Sequence, residues 1–509
     1  MSKLTRISIM LAFFFALDKV LAFLRQIIIG RMFGLSTELD AFNVANNIPD
    51  LLFALITGGA LAVAFIPVLT EVLTTKGRGE AWKLFSRVAN LAFLVTGVLS
   101  VLVAFSADWL VGWELGIAPG FNQTDQALVT ELMRLNLIAT MIFSISGLVM
   151  AGLQANQHFF FPAIAPLLYN AGQIFGATVL SPTEGLRVGS FQLPAFGLGV
   201  HGLVYGVIIG AVLHLLIQVP GLLRYQFKWT AGFGLRDPSV AKVMRLMVPR
   251  LANMGIIQLI FLVRDNLASR LEVGTVTALA YGWMIQQVPE TLVGTAIGTA
   301  LLPTLSEHFS KGEHVQFTQT VSKALRVLLA ITLPTAAIMA IGLRPLLVLA
   351  FGYDQAGTDL LLWVTRGYLL GLTGHCLLEL AARSFYARQN AVIPLLGAIL
   401  NVTIYIGLGS VLYRSLGGPG ISLTDAIAFT CQAVFLIIIL FARGERPSAV
   451  GATFLRATLA AVLSAAVTLL IMTTFTGLPA VLSSLIAMVG GAVVMILVVL
   501  PEIRLLLRL

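Results

Sequence analysis

Apolar runs long enough to cross a bilayer recur along this chain. They lie near 7–32, 41–74, 86–112, 127–152, 160–181, 195–223, 241–268, 276–304, 318–342, 358–384, 391–413, 418–442, 451–475 and 479–502. A helix needs about 20 apolar residues to cross the hydrocarbon layer. In lipid every backbone polar group must be bonded internally, so only helices and closed barrels span it. Barrel strands are about 10 alternating residues each, and these runs are longer and do not alternate. Of 509 residues, 58% are hydrophobic and 11% charged; a soluble domain has about 25% charged. The expected fold is an all-α polytopic membrane protein of fourteen spanning helices. The first run is long and carries charges, so it reads as a retained helix rather than a cleaved signal peptide.

Loop charges orient the spans. With the N-terminus inside, the inner segments hold Lys3 and Arg6; Lys76, Arg78, Lys83 and Arg87; Arg224, Lys228, Arg236, Lys242 and Arg245; Lys311, Lys323 and Arg326; Arg383 and Arg388; Arg443, Arg446 and Arg456; and Arg504 and Arg508. The outer segments hold mainly Arg187, Arg270, Arg344 and Arg414, and the 113–126 loop has no base. This is the positive-inside pattern, with both termini cytoplasmic. It accounts for the net charge of +9 through anionic lipid head groups, without nucleic acid.

The chain repeats itself. Gly58-Gly-Ala-Leu-Ala-Val-Ala-Phe-Ile-Pro67 through Glu71 aligns without a gap with Gly294-Thr-Ala-Ile-Gly-Thr-Ala-Leu-Leu-Pro303 through Glu307. Leu153-Gln-Ala-Asn-Gln-His-Phe-Phe-Phe-Pro162 echoes Phe385-Tyr-Ala-Arg-Gln-Asn-Ala-Val-Ile-Pro394. The repeat is six spans long, and an even number keeps both copies in one orientation. Transporters built this way place substrate between the halves and rock them. The expected division is an N-lobe at 1–224, a C-lobe at 225–446, and two extra helices at 447–509. The extra pair either pads the bundle or forms a groove for a lipid tail.

Charge inside a span is costly and points to function or to pairing. In the first span, taking Asp18 as zero on a helix, Arg25 falls near −20°, Ala22 near 40°, Gln26 near 80° and Lys19 near 100°. The polar groups share about a third of the circumference. The stripe either lines a cavity or forms an Asp18–Arg25 pair two turns apart. The seventh span carries Arg250, Asn253, Gln258, Arg264 and Asp265; Arg134 and Arg366 occupy matching places in the fourth and tenth spans. Together these bases suggest a cationic cavity, and Asp265, an acid in a membrane helix beside bases, is a candidate for ion coupling or for an inter-helix pair.

Other chemistry is not indicated. Cys376 and Cys431 fall in apolar stretches, and the six histidines show no ligand spacing, so no disulfide or metal site is expected. No G-x-x-x-x-G-K-[ST] occurs. No catalytic residues and no cofactor are expected, apart from a monovalent coupling cation; the chain reads as a transporter and not an enzyme.

Several stretches stand out: Val20-Leu-Ala-Phe-Leu-Arg25, Asp40-Ala-Phe-Asn-Val-Ala45, Ile48-Pro-Asp-Leu-Leu52, Gly59 to Glu71, Ala118-Pro-Gly-Phe121, Pro162-Ala-Ile-Ala-Pro166 to Asn170, Leu301-Leu-Pro303 and Arg383-Ser-Phe-Tyr-Ala387. Together they resemble the MurJ (MviN) lipid II flippases of the MATE-like exporter superfamily. The resemblance implies two six-helix lobes, a cationic cavity and a groove for an undecaprenyl tail. It implies flipping of an undecaprenyl-diphosphate-linked glycan, lipid II, across the bacterial cytoplasmic membrane, by a monomer. Lys19, Arg25, Gln26, Asp40, Arg250 and Arg264 are then the expected substrate-binding residues. Two family arginines are absent: Phe53 and Met284 stand in those regions, and Lys19 and Gln26 replace an arginine and an acid. Another undecaprenyl-linked saccharide, or a different small molecule, is the alternative cargo.

Overall fold

The computed structural model describes residues 3–58, 60–442, 449–475 and 477–506. Within these, the side chains of 3–8, 56–58, 60–63, 188, 191, 248–250, 252–253 and 506 are outside the description. The chain forms two compact units, Met1–Gly274 and Thr275–Leu509.

The first unit contains α1 (Lys3–Phe33), α2 (Thr37–Ala45), α3 (Asn47–Leu52), α4 (Ala60–Thr75), α5 (Arg78–Gly112), α6 (Gln123–Ala155), α7 (Phe160–Phe175), α8 (Val200–Leu216), α9 (Val219–Arg224) and α10 (Pro238–Ala268). A ribbon of β1 (Arg187–Val188) and β2 (Phe191–Gln192) precedes α8, pairing Arg187 with Gln192. The second unit contains α11 (Thr275–Pro289), α12 (Ala296–Ser310), α13 (His314–Phe351), α14 (Gln355–Ala387), α15 (Val392–Leu416), α16 (Gly418–Phe441), α17 (Val450–Thr474), α18 (Ala480–Val498) and α19 (Leu500–Leu506). Among the described residues, every expected run falls mostly on helix. Among the described residues, nine helices are long and apolar enough to cross a membrane. The second and eighth runs are broken helices, and the first, seventh and tenth carry the charged stripes.

The ends are specified locally. Ser36, Asn122, Asp237 and Asp354 accept from the backbone of Leu39, Asp125, Ser239 and Gly357, satisfying first-turn donors. Pro49 cannot donate to the carbonyl of Ala45, and α2 stops there before α3 resumes.

The repeat is written in the backbone. A π-helical segment, Phe53–Gly58, precedes α4, and another, Glu290–Thr295, precedes α12, just where the Gly58 and Gly294 motifs begin. The second echo is a matched pair of helix ends. Gln157 and Gln389 both have φ of 57°. His158 N donates to Leu153 O at 2.9 Å and Asn390 N to Phe385 O at 3.0 Å, so α6 and α14 close with the same Schellman turn.

The two apolar cores also correspond. In the first unit Phe65, Leu69, Trp82, Phe85 and Leu148 pack together; in the second, Leu301, Leu305, Phe317, Leu325 and Leu380 do. Glycines let α7 and α8 touch: a Cβ on Gly172 would lie 2.4 Å from the Cα of Gly210.

Packing divides the chain differently from the expected boundary at 224. Helix α10, assigned by repeat to the C-lobe, packs on α3, α4 and α5 within the first unit. The final helices belong to the second unit and pack on α13. There Glu502, 1% exposed, accepts from Arg456 at 2.7 Å and from Thr453 at 3.1 Å.

Loops assigned to one side of the membrane meet. Arg87 pairs with Asp237, and Trp82 donates to Tyr225 O at 3.0 Å. At the other end Arg270 pairs with Glu114 at 2.7 Å, and Asn266 donates to Gly116 O at 2.5 Å. Burial opposes the Asp237 charge, but hydrogen bonds from Ser239 and Arg87 outweigh it and hold that carboxyl below its ordinary range.

Candidate functional site

The polar stripe of α1 lies against α7. Arg25 Nη1 donates to Asn170 Oδ1 at 2.9 Å, and Asn170 Nδ2 donates to Asp18 Oδ1 at 2.9 Å. The amide also donates to Pro166 O at 3.2 Å, bonding back along its own helix. Asp18 and Arg25 therefore communicate through Asn170 as a relay. This differs from the direct pair that their spacing allowed. Asp18, Arg25 and Gln26 are half-buried, and Lys19 is exposed. The charge of Arg25 also acts on Asp50 and Tyr169. Asp50 is exposed while Ile48 and Pro49 beside it are buried. Arg25, Lys19, Asp18 and Asp50 make a mixed but accessible charged surface on the first unit. A held guanidinium with an exposed lysine on the same helix is suited to an anionic diphosphate.

A second group ties α10 to α3. Asp265 is fully buried; its Oδ1 accepts from Arg264 Nε at 2.7 Å and its Oδ2 from Asn47 Nδ2 at 2.5 Å. The Arg264 guanidinium lies over the Phe261 ring at 5.1 Å. Both carboxylate oxygens of Asp265 thus already have protein donors, an arrangement that clasps two helices.

Other expected residues lie elsewhere. Asp40 is 2% exposed and accepts from the backbone N–H of Gly274 at 2.6 Å, anchoring the loop before α11. The geometry thus gives Asp40 an anchoring part. Arg250 lies on α10, but its side chain falls outside the described residues, as does that of Asn253. Arg134 Nε donates to Ala104 O at 2.9 Å and Arg366 Nε to Ala340 O at 2.8 Å. They are equivalent, as their positions suggest: each braces its helix against the preceding one. Arg134 also pairs with Asp108 at 2.8 Å, and Arg366 sits over Trp363.

Phe53, where a base was expected, packs edge-on against Phe143 at 5.3 Å, and Phe143 packs against Tyr169 at 5.1 Å and His214 at 5.3 Å. An aromatic column has taken that place. Met284 is half-buried on α11.

Sequence reasoning passed over Asn47, Asp50 and Tyr169, and gave Asn170 no role. It also passed over a polar cluster in the second unit around His375. The available signal was an amide or ionisable group inside an apolar run, which by itself marks a functional candidate.

A family model described as "Lipid II flippase MurJ" matches residues 29–491. The chain belongs to the lipid II flippase MurJ family. Among relatives, the lipid II flippase MurJ of Burkholderia cenocepacia is 30% identical over 441 residues, covering 85% of this chain and 82% of that one. The probable lipid II flippase MurJ of Vibrio cholerae is 26% identical over 445 residues, covering 84% and 80%. A solved structure titled "Lipid II flippase MurJ, inward closed conformation" superposes with a TM-score of 0.81 at 21% identity, covering 98% of this chain and 100% of that one. An inward-facing multidrug resistance MATE family transporter superposes with a TM-score of 0.69 at 16% identity, covering 86% and 96%. Both structural likenesses bear on fold. The fold is thus all-α and polytopic, and with the family match the chain is an integral membrane protein.

Proposed function

We propose that this chain flips lipid II from the inner to the outer leaflet of the bacterial cytoplasmic membrane, with both termini in the cytoplasm. The observation that carries this reading is the family match over residues 29–491. Arg25, oriented by Asn170, and Lys19 hold the diphosphate, with Gln26 at the edge of the same stripe. A held fork and a mobile ammonium divide the work: the first gives direction, the second adds charge. The loss of a base at Phe53 leaves Arg25 the principal anchor. Alternating access moves the glycan across while the tail stays in lipid. The repeat-based lobes, 1–224 and 225–446, are the evolutionary units of that cycle, and 447–509 supplies the tail groove. The protein works as a monomer. Membrane potential contributes about 2.3 kcal/mol per charge per 100 mV.

The test is complementation. The chain is expressed in a bacterium depleted of its own lipid II flippase, and lipid II in the outer leaflet is measured with an impermeant probe. Restored growth with outer-leaflet lipid II is expected. A well-expressed, membrane-inserted protein that restores neither would defeat the reading.

A further inference from the structure

A buried cluster of ionisable side chains lies in the second unit, away from the α1 stripe in sequence. His375, on α14, is 5% exposed and stacks on Phe429 at 4.1 Å between ring centroids. Its two ring nitrogens meet acids on different elements. Nε2 lies 2.8 Å from Asp425 Oδ2 on α16; Nδ1 lies 3.9 Å from Glu290 Oε1, at the start of the π segment before α12. The first distance is a hydrogen bond and the second is an open contact.

Charge counting shows what this arrangement needs. A neutral imidazole with two carboxylates carries −2 in an apolar interior, which is strongly unfavourable without compensation. One proton makes it −1 and a second makes it neutral. The other charges here are Glu379, which acts on both His375 and Glu290, and Arg383. These two pair with each other at 2.8 Å, and Arg383 also donates to Thr295 O at 2.8 Å, so they leave the balance unchanged. The remaining titratable group is Cys376, beside His375 on α14, on which Glu290 and Glu379 also act; as a neutral thiol it leaves the count unchanged.

The cluster is also unfinished on its Glu290 side. Glu290 Oε2 is buried without a hydrogen-bond partner among the described residues. Gln286, fully buried, faces Glu290, and among the described residues neither of its amide atoms has a partner in full hydrogen-bond geometry. Polar atoms in that state mark a place where a small species belongs. Among the described residues no group has metal-holding geometry.

The fold itself does not demand these residues. By the register that pairs Gln157 with Gln389, His375 corresponds to Phe143; by that pairing Gly58 with Gly294, Glu290 corresponds to Ala54. The first unit builds the same helices with apolar side chains at both places.

We infer that His375, Glu290 and Asp425 form a proton-binding site in the second unit, which the flipping cycle loads and empties. Protonation completes the Glu290–His375 contact and draws the π segment onto α14; loss of the proton releases it. The segment can respond because Gly294 packs directly on Cys376, next to His375, where a Cβ would come within 2.8 Å. Short π segments are frequent at functional places in helices. An imidazole between two acids suits a proton, whereas a sodium-like ion favours a shell of oxygens. This inference assumes the flippase reading for its link to transport, but the site itself can be read without substrate.

Two measurements test it. Infrared difference titration of the purified protein reads carboxyl protonation with no lipid II present. Flipping in proteoliposomes is measured between about pH 5.5 and 8, in sodium and in choline buffers. The expected result is a carboxyl signal lost in Glu290→Gln, with a pH-dependent flipping rate that becomes flat in folded Glu290→Gln and His375→Gln. Glu290→Gln decides the matter if His375→Gln does not fold, because Glu290 has the looser contacts. An unchanged carboxyl signal in Glu290→Gln overturns the site. An intact signal change with a wild-type pH profile overturns the link to transport. Dependence on sodium and not on pH overturns the proton in favour of a metal cation.

Discussion

The side-chain amide of Asn47 donates to the carboxylate of Asp265 at 2.5 Å, joining positions 218 residues apart. Asn47 opens α3, directly after the break that Pro49 imposes on the second span, and Asp265 lies in the last turn of α10. The contact pins a short broken helix to a long one. Asp265→Asn should lose about 1–3 kcal/mol of thermal stability in detergent, because a charge-assisted bond inside the protein becomes a neutral one. Asn47→Leu should lose a comparable amount, and the double variant less than the sum. Unaltered stability in Asp265→Asn, together with changed cation dependence of flipping, would show an ion site there in place of a clasp.

The seam between α7 and α8 makes a second prediction. A Cβ on Gly172 would sit 2.4 Å from the Cα of Gly210, and one on Gly176 would sit 2.7 Å from the Cα of Gly206. Backbone cannot yield as a side-chain tip can. Gly172→Ala should therefore cost about 1–3 kcal/mol. Gly255→Ala is the control, since a Cβ there meets nothing within 4 Å; it should be neutral or gain up to about 1 kcal/mol. Equal melting temperatures for the two variants would contradict the close approach.

What the sequence disclosed follows from how lipid acts on it. Span positions were legible because apolar length is a one-dimensional property. The repeat was legible because Gly58/Gly294 and the turns at Gln157 and Gln389 keep their residues and their spacing. Partnership was not. The spacing of Asp18 and Arg25 permits a direct pair, and only the fold brings Asn170 between them. The resemblance offered Asp40 as a substrate-binding residue, and only the fold shows it accepting from a backbone N–H 234 residues away. The same limit hid His375, whose acids come from two other helices. Packing also assigned α10 to the first unit, which a repeat boundary cannot anticipate.

Acid should loosen the loop after α9. The Asp237 carboxyl lies below its ordinary range, so its bond to Arg87 stabilises the folded form above the unfolded-state value of about 3.9. That contribution is lost as pH falls through the lower folded value. Thermal melts of wild type and Asp237→Asn should differ by about 1 kcal/mol at pH 7. The gap should close below about pH 4. A gap that stays constant down to pH 3 would mean the carboxylate charge contributes nothing, leaving only its capping of Ser239.

The last prediction concerns how Arg25 is held. Its guanidinium reaches Asn170, which is anchored in turn on Asp18 and Pro166 O. If this chain of bonds aims the guanidinium at a diphosphate, geometry should matter as well as charge. Arg25→Ala should abolish flipping and weaken lipid II binding at least tenfold, about 1.4 kcal/mol. Arg25→Lys keeps the charge but not the fork, and should fall between. Asn170→Leu keeps the arginine and removes its support; it should weaken binding less than Arg25→Ala does. Lys19→Arg should be tolerated, since Lys19 is exposed and has room for a larger head group. The measurement is lipid II binding to purified variants of matched thermal stability, read beside flipping in cells. Wild-type binding by Arg25→Ala would remove Arg25 from the substrate site. Loss in Asn170→Leu equal to that in Arg25→Ala would mean that the orientation of the arginine, and not its charge, is what the site depends on.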